Sequence, residues 1–184
     1  MYVGSNRTAL ASQRQIAQAM MQLIQEKPYA QISVSELCRA AGISRQTFYT
    51  LFTNRDNVMV FTLQARYCCS EDIPQAAESG ACNADVIHSL CQGYSQYLYR
   101  NRDLIKTLVD NHIDYLLYDS FFDAMNRCEC AFQEVEPCMR KYATGFYAGG
   151  VSSVAKQYAQ EGCSASPDQL ESLLFRLFTG GIFS

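Results

Sequence analysis

The sequence predicts an all-α chain in two parts, a small N-terminal domain followed by a larger C-terminal helical bundle, and three observations carry this expectation. Apolar residues recur at helical spacing between residues that cap or stop helices. Alternating runs of the strand type are absent from the sequence. Charge is shared unequally: residues 1–57 carry six basic and three acidic side chains, a balance of +3, whereas the rest carry nine against fifteen, a balance of −6. A basic module joined to an acidic body fits a nucleic-acid-binding head on a body with another task.

The first helix is read from Ile16, Met20, Leu23 and Ile24, and it should stop before Pro28, which restricts its predecessor. Ser33 and Glu36 form a capping-box pattern for a second helix with a stripe of Val34, Leu37, Cys38 and Ala41. Gly42 follows where the chain must turn left-handed, and Ser44 caps a short third helix through Leu51. Asn54 precedes a fourth helix with Val58, Phe61 and Ala65, and a small-residue connection spans Pro74 to Asn83.

Beyond that connection, Ile87, Leu90, Cys91, Tyr94, Tyr97 and Leu98 share one helical face. Asn101 suits the cap of a short helix with Leu104, Ile105 and Leu108, and Ile113 to Phe132 reads as another helix. Pro137 suits a first turn, after which Met139, Tyr142, Ala143, Phe146, Gly150, Val154 and Tyr158 form a stripe ending near Gly162. Ser166, Pro167 and Gln169 open a last helix expected to bury Leu170, Leu173, Leu174, Leu177 and Phe178 and to stop at Gly180-Gly181.

Two short helices joined by Ala41-Gly42-Ile43-Ser44 make a helix-turn-helix, whose second helix fits a major groove about 12 Å wide. Leu37, Ile43 and Phe48 are placed to hold the helices together, leaving Arg45, Gln46, Thr47, Tyr49 and Thr50 outside. Arg45 and Gln46 are long multidentate groups suited to base edges; Thr47, Tyr49 and Arg55 suit phosphates. Ser33, Val34 and Ser44, at the starts of the two helices, complete the candidate DNA-binding set.

The run Ala41-Gly42-Ile43-Ser44, then Thr47-Phe48-Tyr49, then Phe52 and Arg55-Asp56, resembles the signature of the TetR/AcrR family of transcriptional regulators. Thr50 and Leu51 stand where the family often has an aromatic residue and His, and Gln46 where Gly or Ala is common. The resemblance implies a DNA-binding domain over residues 8–68, with its helix-turn-helix at 33–52, and a regulatory and dimerisation domain over 69–184. It implies a homodimer on double-stranded operator DNA of two-fold symmetry, and a repressor released by a small-molecule inducer. The inducer is expected among Tyr94, Tyr97, Tyr115, Tyr142 and Phe146, with Asp110 or Asp114 able to tolerate a cation. The dimer interface is expected at Phe146, Gly149, Gly150, Ser153, Leu173, Leu177 and Phe178, small residues that permit close approach beside apolar filling. Two alternatives stand beside this reading: a thiol-redox-sensing regulator using Cys68, Cys69, Cys128 and Cys130, and a TetR-like interaction protein without operator binding.

Other classes lack a signature. No apolar run approaches the roughly 18 residues of a membrane span, and the N-terminus has no basic region leading into an apolar stretch, so a cytoplasmic location is expected. Nine cysteines, an odd number without a Cys-x-x-Cys pair, suit neither a disulfide framework nor a zinc site. Neither His88 nor His112 sits in a nucleophile, metal or phosphate-loop motif, so no enzyme and no cofactor is expected.

Overall fold

The computed structural model describes Gly4, residues 6–68, 84–127, Phe132 and residues 135–181, and these divide into two compact units between Gln64 and Ala65. The Pro74–Asn83 connection and Cys69, Cys128 and Cys130 lie outside the described residues, as does the side chain of Cys68. Among the described residues every regular element is helical.

The first unit holds α1 (Arg7–Glu26), a 3₁₀ turn (Tyr29–Gln31), α2 (Val34–Ala40), α3 (Arg45–Leu51) and the start of α4 (Arg55–Cys68). The Asn6 side chain accepts from the Thr8 and Ala9 amides to cap α1, which buries Ile16, Met20, Leu23 and Ile24 on one stripe. Lys27, held extended before Pro28, ends it. The Ser33 hydroxyl accepts from the Glu36 amide at 3.2 Å, but the Glu36 carboxylate pairs with Lys27 instead of returning to the cap. The capping box expected there is therefore half made. An ammonium partner across the turn outcompetes a neutral amide, and the ion pair holds the Glu36 carboxyl below its usual range.

The helix-turn-helix closes on a Schellman motif. Gly42, at φ +67°, donates to the Arg39 carbonyl at 3.2 Å, and Ile43 donates to the Cys38 carbonyl at 3.0 Å. A side chain there would be strained by the backbone alone. The motif recurs at Gly162, with Cys163 donating to the Tyr158 carbonyl at 2.8 Å.

The second unit contains α5 (Ala84–Arg100), α6 (Arg102–Asp110), α7 (Tyr115–Arg127), α8 (Arg140–Gln160) and α9 (Pro167–Phe178). α5 packs on α9, and α6 and α7 pack on α8. Its core joins Cys91, Tyr94, Tyr97 and Leu98 to Leu104, Ile105, Leu108, Leu116, Leu117 and Phe121, and to Ala148, Val151, Ala155, Tyr158, Leu170 and Leu174. The Ser166–Gln169 capping box forms in full, with bonds of 3.3 and 2.9 Å.

Several expectations are corrected in this unit. The Asn101 side chain caps nothing, because its amide donates back to the Tyr97 carbonyl and its oxygen accepts from Arg66. α7 starts at Tyr115, not Ile113: His112 takes the left-handed position of a Schellman motif (φ +57°), so the Ile113 amide belongs to the end of α6 through the Leu108 carbonyl. Phe132 is also left-handed and lies outside α7. Pro137 sits in a turn closed by the Met139 amide on the Glu136 carbonyl, and α8 begins three residues after it. On α8 the buried line is Thr144, Ala148, Val151, Ala155 and Tyr158, while Met139, Tyr142, Phe146 and Gly150 of the expected stripe are exposed. Both faces of this helix are apolar, and the neighbouring helices choose the one of smaller residues. On α9, Leu170 and Leu174 are buried, whereas Leu173 and Leu177 are exposed and Phe178 is half-buried.

Burial also sets thiol chemistry. Desolvation first, and the Glu171 carboxylate second, push the Cys91 thiol up to about 11, so at pH 8 it is almost entirely protonated. Cys138 is exposed. In a short maleimide pulse on folded protein at pH 8, Cys138 is expected to be modified and Cys91 spared until denaturant is added, as read by peptide mass spectrometry. Labelling of both at one rate would contradict this packing.

Candidate nucleic-acid interface

α3 is a seven-residue helix with one side inward and one outward. Phe48 and Leu51 are buried, whereas Arg45, Gln46, Tyr49 and Thr50 are exposed and Thr47 is half-buried. Its start is fixed by the Ser44 hydroxyl, which accepts from the Thr47 amide at 3.0 Å and meets the Thr47 hydroxyl at 2.9 Å. Phe48 is fully buried, 5.9 Å from the Phe52 ring, which in turn meets Phe61 edge-on. Tyr49, 52% exposed, lies edge-on to Phe48 with its ring outside the core. The Arg45 charge reaches the inner layer only weakly: it opposes burial at Cys38, whose thiol is nevertheless raised.

The structure thus brings Ser44, Arg45, Gln46, Thr47, Tyr49 and Thr50 together on one short helix and its cap. Ser33, exposed, and Val34, half-buried, stand at the start of α2. The Thr50 hydroxyl donates to the Gln46 carbonyl at 3.0 Å, so its proton is already engaged within the helix. Arg55 is turned toward the protein. Its Nη1 donates to the carbonyls of Tyr29 at 3.0 Å, Ala30 at 3.4 Å and Ile32, and the guanidinium lies 4.8 Å from the centre of the Tyr29 ring. The Tyr29 hydroxyl donates to Asp56 at 2.6 Å. Sequence reasoning named Asp56 only within the signature and did not name Tyr29, and no local signal marks two residues so far apart as partners.

The five aromatic residues expected around a ligand do not converge. Tyr94 and Tyr97 are core, stacked at 6.2 Å beside Phe121, and the Tyr94 hydroxyl donates to the Val151 carbonyl at 2.7 Å. Tyr115, Tyr142 and Phe146 are instead 51%, 73% and 77% exposed. Asp110 and Asp114 already face Lys106 and Lys156, at 3.4 and 2.7 Å. Two open grooves border α9, of about 380 and 320 Å³, and none of those five aromatics lines either one. In the second groove His88 Nε2 lies 3.0 Å from Glu171 Oε1, with Phe175 against the imidazole.

The residues that build this head also match a known family: the model described as "Bacterial regulatory proteins, tetR family" matches residues 16–60. Within this segment the chain is similar to the TetR family's DNA-binding domain. The matched TetR segment runs from the buried face of α1 through the helix-turn-helix into α4. The HTH-type dhaKLM operon transcriptional activator DhaS of Lactococcus lactis subsp. lactis is 40% identical over 53 residues, 29% of this chain and 28% of that protein. The match thus spans under a third of that relative's length. Among solved structures, Lin0861 from Listeria innocua is similar over 100% of this chain and 97% of its own, with a TM-score of 0.71 at 15% identity. NalD, the secondary repressor of the MexAB-OprM multidrug efflux pump in Pseudomonas aeruginosa, is similar over 95% and 97%, with a TM-score of 0.54 at 17% identity. At these identities the likeness is one of fold. Among the described residues no helix is long and apolar enough to cross a membrane, and no cluster of three or more His, Cys, Asp or Glu could hold a metal.

Proposed function

We propose that the chain is a sequence-specific, DNA-binding transcriptional regulator that acts as a homodimer on a two-fold operator. The observation that carries this reading is the outward row of Arg45, Gln46 and Tyr49 on a short helix whose start is capped and whose inner side is fully packed. A helix so presented enters a major groove with its N-terminal side chains at the base edges. Ser33, Val34, Ser44, Thr47 and Thr50 lie around it as backbone contacts.

Retardation of a duplex carrying the gene's own upstream region tests the proposal. Arg45→Ala or Gln46→Ala is expected to cost about 1–3 kcal/mol on the bound site and to relax base preference, whereas Tyr49→Phe weakens all duplexes alike. Unchanged affinity and preference in Arg45→Ala would remove this face from base reading, and no retardation by the parent protein at micromolar concentration would remove the function.

The finer part of the proposal is release by a small molecule bound in residues 65–184, a unit with a core of its own. By linkage, an inducer that lowers operator affinity tenfold binds the DNA complex tenfold more weakly, about 1.4 kcal/mol in each direction.

A further inference from the structure

We propose that Arg55 is a positioning residue of the DNA-binding head: its guanidinium, with Asp56, fastens the start of α4 to the Tyr29–Ile32 turn and so fixes where α2 presents Ser33 and Val34 to the DNA backbone. This rests on the DNA-binding reading above and replaces one contact expected within it, a direct bond from Arg55 to phosphate.

The geometry is specific to an arginine. The Tyr29 carbonyl already accepts from the Ile32 amide at 3.1 Å, and it, with the Ala30 and Ile32 carbonyls, also faces Arg55 Nη1. The planar cation also lies on the Tyr29 face, 4.8 Å from its centre, which a lysine ammonium with the same charge would not reproduce. Tyr29 itself is buried and donates to Asp56 at 2.6 Å, so consecutive residues of α4 grip one turn through two unlike contacts.

That turn ends where the candidate interface begins. Ile32, fully buried, precedes Ser33, and Ser33 caps α2 through the Glu36 amide. The Lys27–Glu36 ion pair adds a second tie, from the end of α1 to the first turn of α2. The entry into α2 is therefore held by two ties, and the hold at α4 is Arg55.

The test uses the full chain and a duplex selected from a random pool by the parent protein. Arg55→Lys keeps the charge and loses the planar guanidinium over the Tyr29 ring, whereas Arg55→Gln loses both. A positioning role predicts that both variants lose tenfold or more in affinity, that the slope of log Kobs against log salt stays at the parent value in Arg55→Gln, and that amide exchange over residues 33–37 speeds up in both. Tyr29→Phe, which leaves the charge untouched and removes only the hydroxyl, should move exchange and affinity the same way by a smaller factor. A phosphate contact predicts the reverse: Arg55→Lys near parental affinity, a slope smaller by about 0.9 in Arg55→Gln, and unchanged exchange. That second pattern would overturn the proposal. Should the parent select no duplex at all, the DNA-binding reading fails, while the exchange arm still reports whether Arg55 holds the turn.

Discussion

Replacing Phe48 by alanine is expected to unfold the DNA-binding head while the second unit stays folded. Phe48 has no exposed surface, and its ring stands at the junction of α3 with Phe52, which passes the packing on to Phe61. Removing a buried phenyl ring costs about 3–5 kcal/mol. A unit of 64 residues has roughly 3–10 kcal/mol in all, so the loss is of the same order as the whole. In a thermal melt of the full chain followed by circular dichroism, the head's transition should fall by about 12 °C or more. The neighbouring Tyr49→Phe supplies the contrast, because that residue is half exposed and the change keeps its ring; its melt should stay within about 0.5 kcal/mol of the parent. A Phe48→Ala melt superimposable on the parent's would show that α3 is not held by this ring.

What was legible in the sequence was local. Ser44 three residues before Thr47, Ser166 three before Gln169, and Gly42 after α2 are signals whose partners lie within one helical turn, and each makes the bond its spacing implies. The candidate reading face follows from the same periodicity, since Phe48 and Leu51 inward leave Arg45, Gln46 and Tyr49 outward. Signals failed where another group, in most cases a distant one, competed for the side chain. Glu36 goes to Lys27 and Asn101 to Tyr97 and Arg66, while Arg55 reaches carbonyls 23 to 26 residues back. His112 ended α6 without the usual glycine, which moved the start of α7 by two residues. On α8 the stripe from Met139 to Tyr158 is divided, with Met139, Tyr142, Phe146 and Gly150 exposed and Tyr158 buried, because an apolar stripe does not state whether it meets its own core or another chain.

That ambiguity on α8 leads to the last expected result, that Phe146→Asp converts a dimer into a folded monomer that loses about a hundredfold or more in operator affinity. Tyr142 and Phe146 recur at i and i+4 with 73% and 77% of their surface exposed, and Leu173 and Leu177 of α9 repeat the spacing at 42% and 46%. Tyr147 links the two helices, its ring 5.6 Å from Phe146 and 5.3 Å from Phe178. So much apolar surface on adjacent helices favours association. The glycines add a separate argument. A Cβ built on Gly149 or Gly150 meets nothing within 4 Å, so packing inside one chain does not require either glycine, and in mid-helix each costs about 0.5–1 kcal/mol against alanine. Close approach by a second copy of α8 gives them a reason. Two variants therefore separate an interface from a merely exposed face. Phe146→Asp places a charge where the parent has an aromatic ring, and Gly150→Leu adds bulk where one chain has room. Both should leave the monomer's helical signal intact. Sedimentation velocity at micromolar concentration should give a dimer for the parent and a monomer for each variant, and each monomer, limited to a single recognition helix, should bind the operator weakly. A parent that sediments as a monomer, or variants that both remain dimeric, would place the interface elsewhere and remove the reason for a two-fold operator.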